Sequence, residues 1–89
     1  MKESYLEVTY RHGKALAAYY YLPRRAQDRA YRTSQPAPGL VVDYTRTGKP
    51  IGIEITAPNR VSLTALNRVL RELGCSAITR EELAPLRAA

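Results

Sequence analysis

The chain has 89 residues, a net charge of +6, one cysteine and seven tyrosines, with neither tryptophan nor phenylalanine. That length holds one domain, residues 1–89, with a real but small core, and a lone Cys75 excludes both an internal disulfide framework and a cysteine-built metal cluster. The start, Lys2 to Ser4, is polar and leads into no apolar run that would serve as a signal peptide or membrane span, so a cytoplasmic protein is expected.

Two strands come first. Tyr5 to Tyr10 alternates Leu6, Val8 and Tyr10 against Tyr5, Glu7 and Thr9. Ala15 to Leu22 alternates Leu16, Ala18, Tyr20 and Leu22 against Ala15, Ala17, Tyr19 and Tyr21. Between them Tyr10-Arg11-His12-Gly13-Lys14 reads as a turn. A three-residue loop ending in Gly13 would set Val8 against Leu16 and Leu6 against Ala18.

Pro23 ends the second strand, and the chain as far as Pro38 reads as a loop, with Ala30 to Gln35 able to pair briefly at a sheet edge. The charge is concentrated before and within this loop. Residues 11 to 32 carry Arg11, Lys14, Arg24, Arg25, Arg29 and Arg32 against Asp28 alone, so five of the six net charges lie there. Such a loop can meet phosphate or an acidic partner. The plainer reading is a solvated surface, and nucleic-acid binding through residues 24–32 is expected to be weak at most.

The densest β pattern spans Leu40 to Pro58. Leu40, Val42 and Tyr44 alternate with Val41, Asp43 and Thr45, and after a turn at Gly48 the residues Ile51, Ile53 and Ile55 alternate with Gly52, Glu54 and Thr56. A four-residue loop pairs Tyr44 with Ile51, Val42 with Ile53 and Leu40 with Ile55. A three-residue loop sets Asp43 across from Ile51 instead. The first keeps the carboxylate off the apolar face and is preferred.

From residue 59 the period becomes helical. Ser62 is a candidate N-cap, Leu63, Leu66, Val69, Leu70 and Leu73 form one stripe, and Gly74 suits the C-terminal cap. Thr79 and Glu82 have capping-box spacing ahead of Leu83 and Leu86. The fold expected is α+β: an antiparallel sheet of four to five strands (residues 1–58), a meander of hairpins, covered on one face by one C-terminal helix, with a short terminal helix completing residues 59–89.

The string GLVVDYTRTGKPIGIEI, Gly39 to Ile55, preceded by ALAAYYYL, Ala15 to Leu22, and by Arg32-Thr33, resembles the small bacterial family catalogued as domain of unknown function 2283. The likeness covers about half the chain. The first turn departs from the acidic Tyr-Asp-Pro-Glu form frequent there, having Tyr10-Arg11-His12-Gly13. The resemblance implies a small α+β domain and, for some members, an antitoxin-like pairing with a protein encoded by a neighbouring gene. It supplies no catalytic residue to carry over.

For function, the sequence is most informative about the sheet. Asp43 and Glu54 share a face in the preferred register, which is raw material for acid–base or metal chemistry, but two solvated strand residues neutralised by arginines is the simpler reading. His12 lies in a turn and Cys75 follows a helix cap, where a thiol is a small apolar filler. No enzyme, cofactor or metal is expected. Stacked bases would need tyrosines on one face, yet alternation sends Tyr20 one way and Tyr19 and Tyr21 the other. What remains is a non-enzymatic module that binds a protein partner or itself. One helix covers one face, so Tyr5, Tyr19, Tyr21 and Ala17 on the opposite face predict a homo-oligomer, most simply a dimer, with Arg24, Arg25, Arg29 and Arg32 as further contact residues. The competing expectation is that Thr79 to Leu86 folds over that face and leaves a monomer.

Overall fold

The computed structural model describes residues 3–87. Five strands, β1 (Tyr5–Arg11), β2 (Lys14–Tyr21), β3 (Arg32–Ala37), β4 (Leu40–Tyr44) and β5 (Pro50–Ile55), precede a 3-10 turn at Pro58–Arg60 and two helices, α1 (Leu63–Glu72) and α2 (Arg80–Arg87). The strands form one antiparallel sheet in the order β1-β2-β5-β4-β3. The α+β class is as the sequence indicates, and the five strands are the upper of the four to five expected.

The order departs from a simple meander at one point: β2 pairs with β5, and the chain from Leu22 to Tyr31 crosses to the far edge to begin β3. Burial explains it. Strand β5 has Ile51, Ile53 and Ile55 each at 0% exposure, and a central place flanks such a strand on both sides. The polar β3, with Pro36 inside it, belongs at an edge, where a missing amide costs no ladder hydrogen bond.

Registers follow the turns. His12 and Gly13 both take positive φ, 53° and 77°, and close a two-residue turn between Arg11 and Lys14. Val8 consequently faces Ala18 and Leu6 faces Tyr20, two residues from the register that a three-residue loop would give. A bulge between the Tyr10–Ala15 and Thr9–Ala17 pairs leaves Leu16 unpaired and 54% exposed, so the helix side of β2 begins with Ala15 rather than Leu16. In the second hairpin Leu40 faces Ile55 and Val42 faces Ile53 as expected. Tyr44 pairs with Pro50, not Ile51, because a second bulge intervenes where Thr45 and Lys49 close the turn by an amide-to-carbonyl bond of 2.9 Å. The edge strand expected at residues 30–35 is present two residues later, as β3, joined to β4 through Pro38 and Gly39, the latter at φ 80°.

Both helices lie on one side. Leu66, Val69 and Leu70 of α1, Ile78, and Leu83 and Leu86 of α2 share one buried cluster with Ala18, Tyr20, Leu22, Leu40, Val42, Ile53 and Ile55. Ser62 Oγ accepts the Ala65 amide at 3.0 Å and starts α1, as its N-cap position implies. Gly74 at φ 75° ends it, with the Cys75 amide reaching Leu70 O at 2.8 Å and the Gly74 amide reaching Arg71 O at 3.0 Å, a paired Schellman closure. The Thr79–Glu82 capping box forms in both directions, at 2.9 and 3.1 Å. Asn67 fixes the lead into α2 by donating to Ile78 O and accepting from Ile78 N, and Arg87 donates to Pro58 O and Val61 O. The segment offered as a cover for the tyrosine face is thus docked on the opposite side. Among the described residues no helix is long and apolar enough to cross a membrane.

Candidate functional site

Strand alternation sets Tyr5, Glu7 and Thr9 of β1 beside Tyr21, Tyr19 and Ala17 of β2, then Gly52 and Glu54 of β5, then Asp43 and Val41 of β4, all on the face away from the helices. The expected tyrosines are therefore together. Tyr5 and Tyr21 stack at 4.4 Å between ring centres, and Tyr19 meets Tyr21 edge-on at 4.7 Å. Tyr5 is 44% exposed, and Tyr19 and Tyr21 are half-buried.

Tyr19 has a further task that the sequence did not announce. Its ring leans diagonally across β5 and occupies the space a side chain on Gly52 would need: a Cβ there would lie 2.0 Å from Tyr19 Oη. The hydroxyl passes over the glycine and donates to Asp43 Oδ2 on β4 at 2.7 Å. A ring covering a glycine restores the contact that the missing side chain leaves open. Burial, reinforced by the hydrogen bond and charge of Asp43, raises the Tyr19 phenol well above its ordinary value. The only available hint was Gly52 inside an otherwise β-branched strand, a position that signals close approach.

Asp43 and Glu54 do share this face, but their surroundings differ. Asp43 is half-buried and accepts the Tyr19 hydroxyl, a partner the sequence did not indicate. Glu54 is exposed, as expected of a solvated strand residue. Among the described residues no group of three or more His, Cys, Asp and Glu side chains is placed to hold a metal ion. His12 is exposed in its turn, whereas Cys75 packs against the core, where burial raises its thiol pKa.

The arginines do not join the tyrosines as one surface. Arg24 is close enough for its charge to act on the Tyr19 phenol, and donates to Asp28 O at 3.1 Å. Arg25 bonds Asp28 through both its amide (2.9 Å) and its guanidinium (3.2 Å), and Arg29 donates only to carbonyls of its own loop. Arg32 lies across the Tyr44 ring at 4.6 Å, and Tyr44 packs on the helix-side core.

Asp28 organises this corner. It is 5% exposed, and its Oδ2 accepts from Lys49 Nζ at 2.8 Å across 21 residues of sequence. The Lys49 hydrogen bond, then the Arg25 amide, hold its carboxyl well below the usual range. Being the one acid amid arginines was the signal for it in the sequence; its link to Lys49 depends on the crossover that places loop and turn side by side. Comparison of the chain with protein-family models finds no match, and comparisons with curated proteins and with solved structures find none either.

Proposed function

We propose that this protein is a non-enzymatic interaction module whose open sheet face pairs with a second copy of the chain. The observation that carries the reading is the placement of α2: Leu83 and Leu86 are buried with α1, so the segment best able to cover Tyr5, Tyr19 and Tyr21 lies on the other side of the sheet. The three rings form a continuous aromatic surface, and tyrosine suits a face that is wet in one state and buried in another, because its hydroxyl keeps a hydrogen bond in both. Exposed Glu7 and Glu54, with Arg11 at the end of the same strand as Glu7, give the face charges of both signs, so self-pairing meets no single-sign repulsion.

A two-fold arrangement is the simplest in which one patch satisfies itself, and a stable dimer needs roughly 600 Å² or more per subunit. The engagement of Asp43 by Tyr19 also favours a binding role over catalysis, since it ties up one oxygen of Asp43, a member of the Asp43 and Glu54 pair that the strands bring to one face. Light scattering on wild type and on a Tyr5→Ser, Tyr21→Ser double variant tests the proposal. These two rings stack near the surface and leave the Tyr19–Asp43 bond in place. A dimeric wild type and a monomeric, folded variant are expected. A monomeric wild type at tens of micromolar, or a variant that stays dimeric, contradicts it.

A further inference from the structure

The loop between β2 and β3 and the turn between β4 and β5 are about twenty residues apart in sequence, yet they enclose an open cleft of ≈ 340 Å³ lined by Arg25, Asp28, Arg29, Tyr31, Arg46 and Lys49, among others. Its charge is strongly one-sided. Four cations line it against the single acid Asp28, which is already satisfied by Arg25 and Lys49. Arg29 uses Nη1 alone, for the carbonyls of Ala26 and Asp28, and Arg46 spends its guanidinium on the face of Tyr31 at 4.5 Å. Neither has a carboxylate partner among the described residues. Two arginines with unneutralised forks at one cleft suit phosphate, whose oxygens accept paired N–H donors.

The aromatic element narrows the class. Tyr31 is 60% exposed, and Arg46 lies over one face of its ring, so the wall of the cleft offers a stacked ring and guanidinium as a platform. Bases stack on tyrosine rings and on arginine planes alike. The volume lies at the small end of ligand sites, which suits one nucleotide unit. A continuous strand would need a basic track leading away over the sheet, but that face carries Glu7, Asp43 and Glu54. We propose that this cleft binds a free mononucleotide, its phosphate held by Arg29 and Arg46 with support from Arg25 and Lys49, and its base stacked on the Tyr31–Arg46 platform. Asp28 has a positioning role, fixing Lys49 and Arg25 so that loop and turn stay apposed.

The test is an NMR titration of the full chain with AMP, adenosine and inorganic phosphate in turn, at about 50 mM salt, where phosphate contacts retain their strength. AMP is expected to shift amides of residues 25–31 and 45–49, with adenosine and phosphate each at least about tenfold weaker, because each lacks one of the two recognition elements. The Arg29→Gln, Arg46→Gln variant should lose AMP. Tyr31→Ala should weaken AMP several-fold more than it weakens phosphate, with circular dichroism showing both variants folded. Adenosine or phosphate binding as well as AMP, shifts centred on the tyrosine face, or variants that bind like wild type would overturn the proposal. So would a single-stranded oligonucleotide without a terminal phosphate that outcompetes AMP at equal nucleotide concentration, since it would make the occupant a strand.

Discussion

On the helix side of the sheet Leu40, Val42, Ile53 and Ile55 are at 0% exposure beneath two helices, whereas on the other side the same two strands present Val41, Asp43, Gly52 and Glu54, with the Tyr19 ring over Gly52 and its hydroxyl on Asp43. The first face is closed by a second layer and depends on aliphatic volume. The second has no such layer and depends on one ring reaching across a glycine to a carboxylate. A small domain with two short helices cannot roof both faces, so the unroofed one acquires hydrogen-bonded aromatics in place of aliphatic packing.

The contrast predicts a ladder of effects. The largest belongs to the roofed face: Leu70→Ala, at a site of 0% exposure, should cost about 2–5 kcal/mol in urea unfolding, a large share of the ~5–15 kcal/mol that holds a domain together. Next comes the glycine. Gly52→Ala places a Cβ where Tyr19 lies and should cost about 1–3 kcal/mol. In a Tyr19→Ala background the same change should be nearly free, because the two positions are coupled. An equal cost in both backgrounds would mean that Tyr19 does not roof β5.

Smaller still is Tyr19→Phe, which deletes the hydroxyl that Asp43 accepts and should cost about 1 kcal/mol. The pH dependence has the same origin. Because folding raises the Tyr19 phenol above its ordinary 10.0, its contribution is complete below pH 10 and is lost as pH rises past that value toward the folded-state pKa. Ultraviolet titration should show Tyr19 ionising at lower pH in Asp43→Asn, since burial remains but the carboxylate no longer opposes the phenolate. At the bottom, Glu54→Gln on the exposed strand surface should stay within about 0.5 kcal/mol.

Much of the roofed face was legible because it rests on periodicity. The isoleucines of β5, the leucine stripe of α1, the Ser62 cap and the Thr79–Glu82 box all lie where local spacing puts them. The registers were legible only in part, since a bulge adds one residue without changing the hydrophobic pattern: one exposes Leu16 and the other sets Tyr44 against Pro50. The place of β2 beside β5 was hidden for a different reason. It is decided by which strand is most apolar across the whole sheet, and no local signal carries that comparison. The Tyr19–Gly52–Asp43 link and the Asp28–Lys49 link both follow from this crossover, so residue types identified their members and only topology joined them.

The difference between the faces is tested most directly by isotope-filtered NMR on a mixture of labelled and unlabelled chains, which records contacts between copies and excludes those within one. Intermolecular contacts are expected from the rings of Tyr5, Tyr19 and Tyr21 and none from Leu70 or Ile53, which are buried within one chain. Intermolecular contacts from α1 or α2, or none from the tyrosine rings in a sample that scatters light as a dimer, would contradict it.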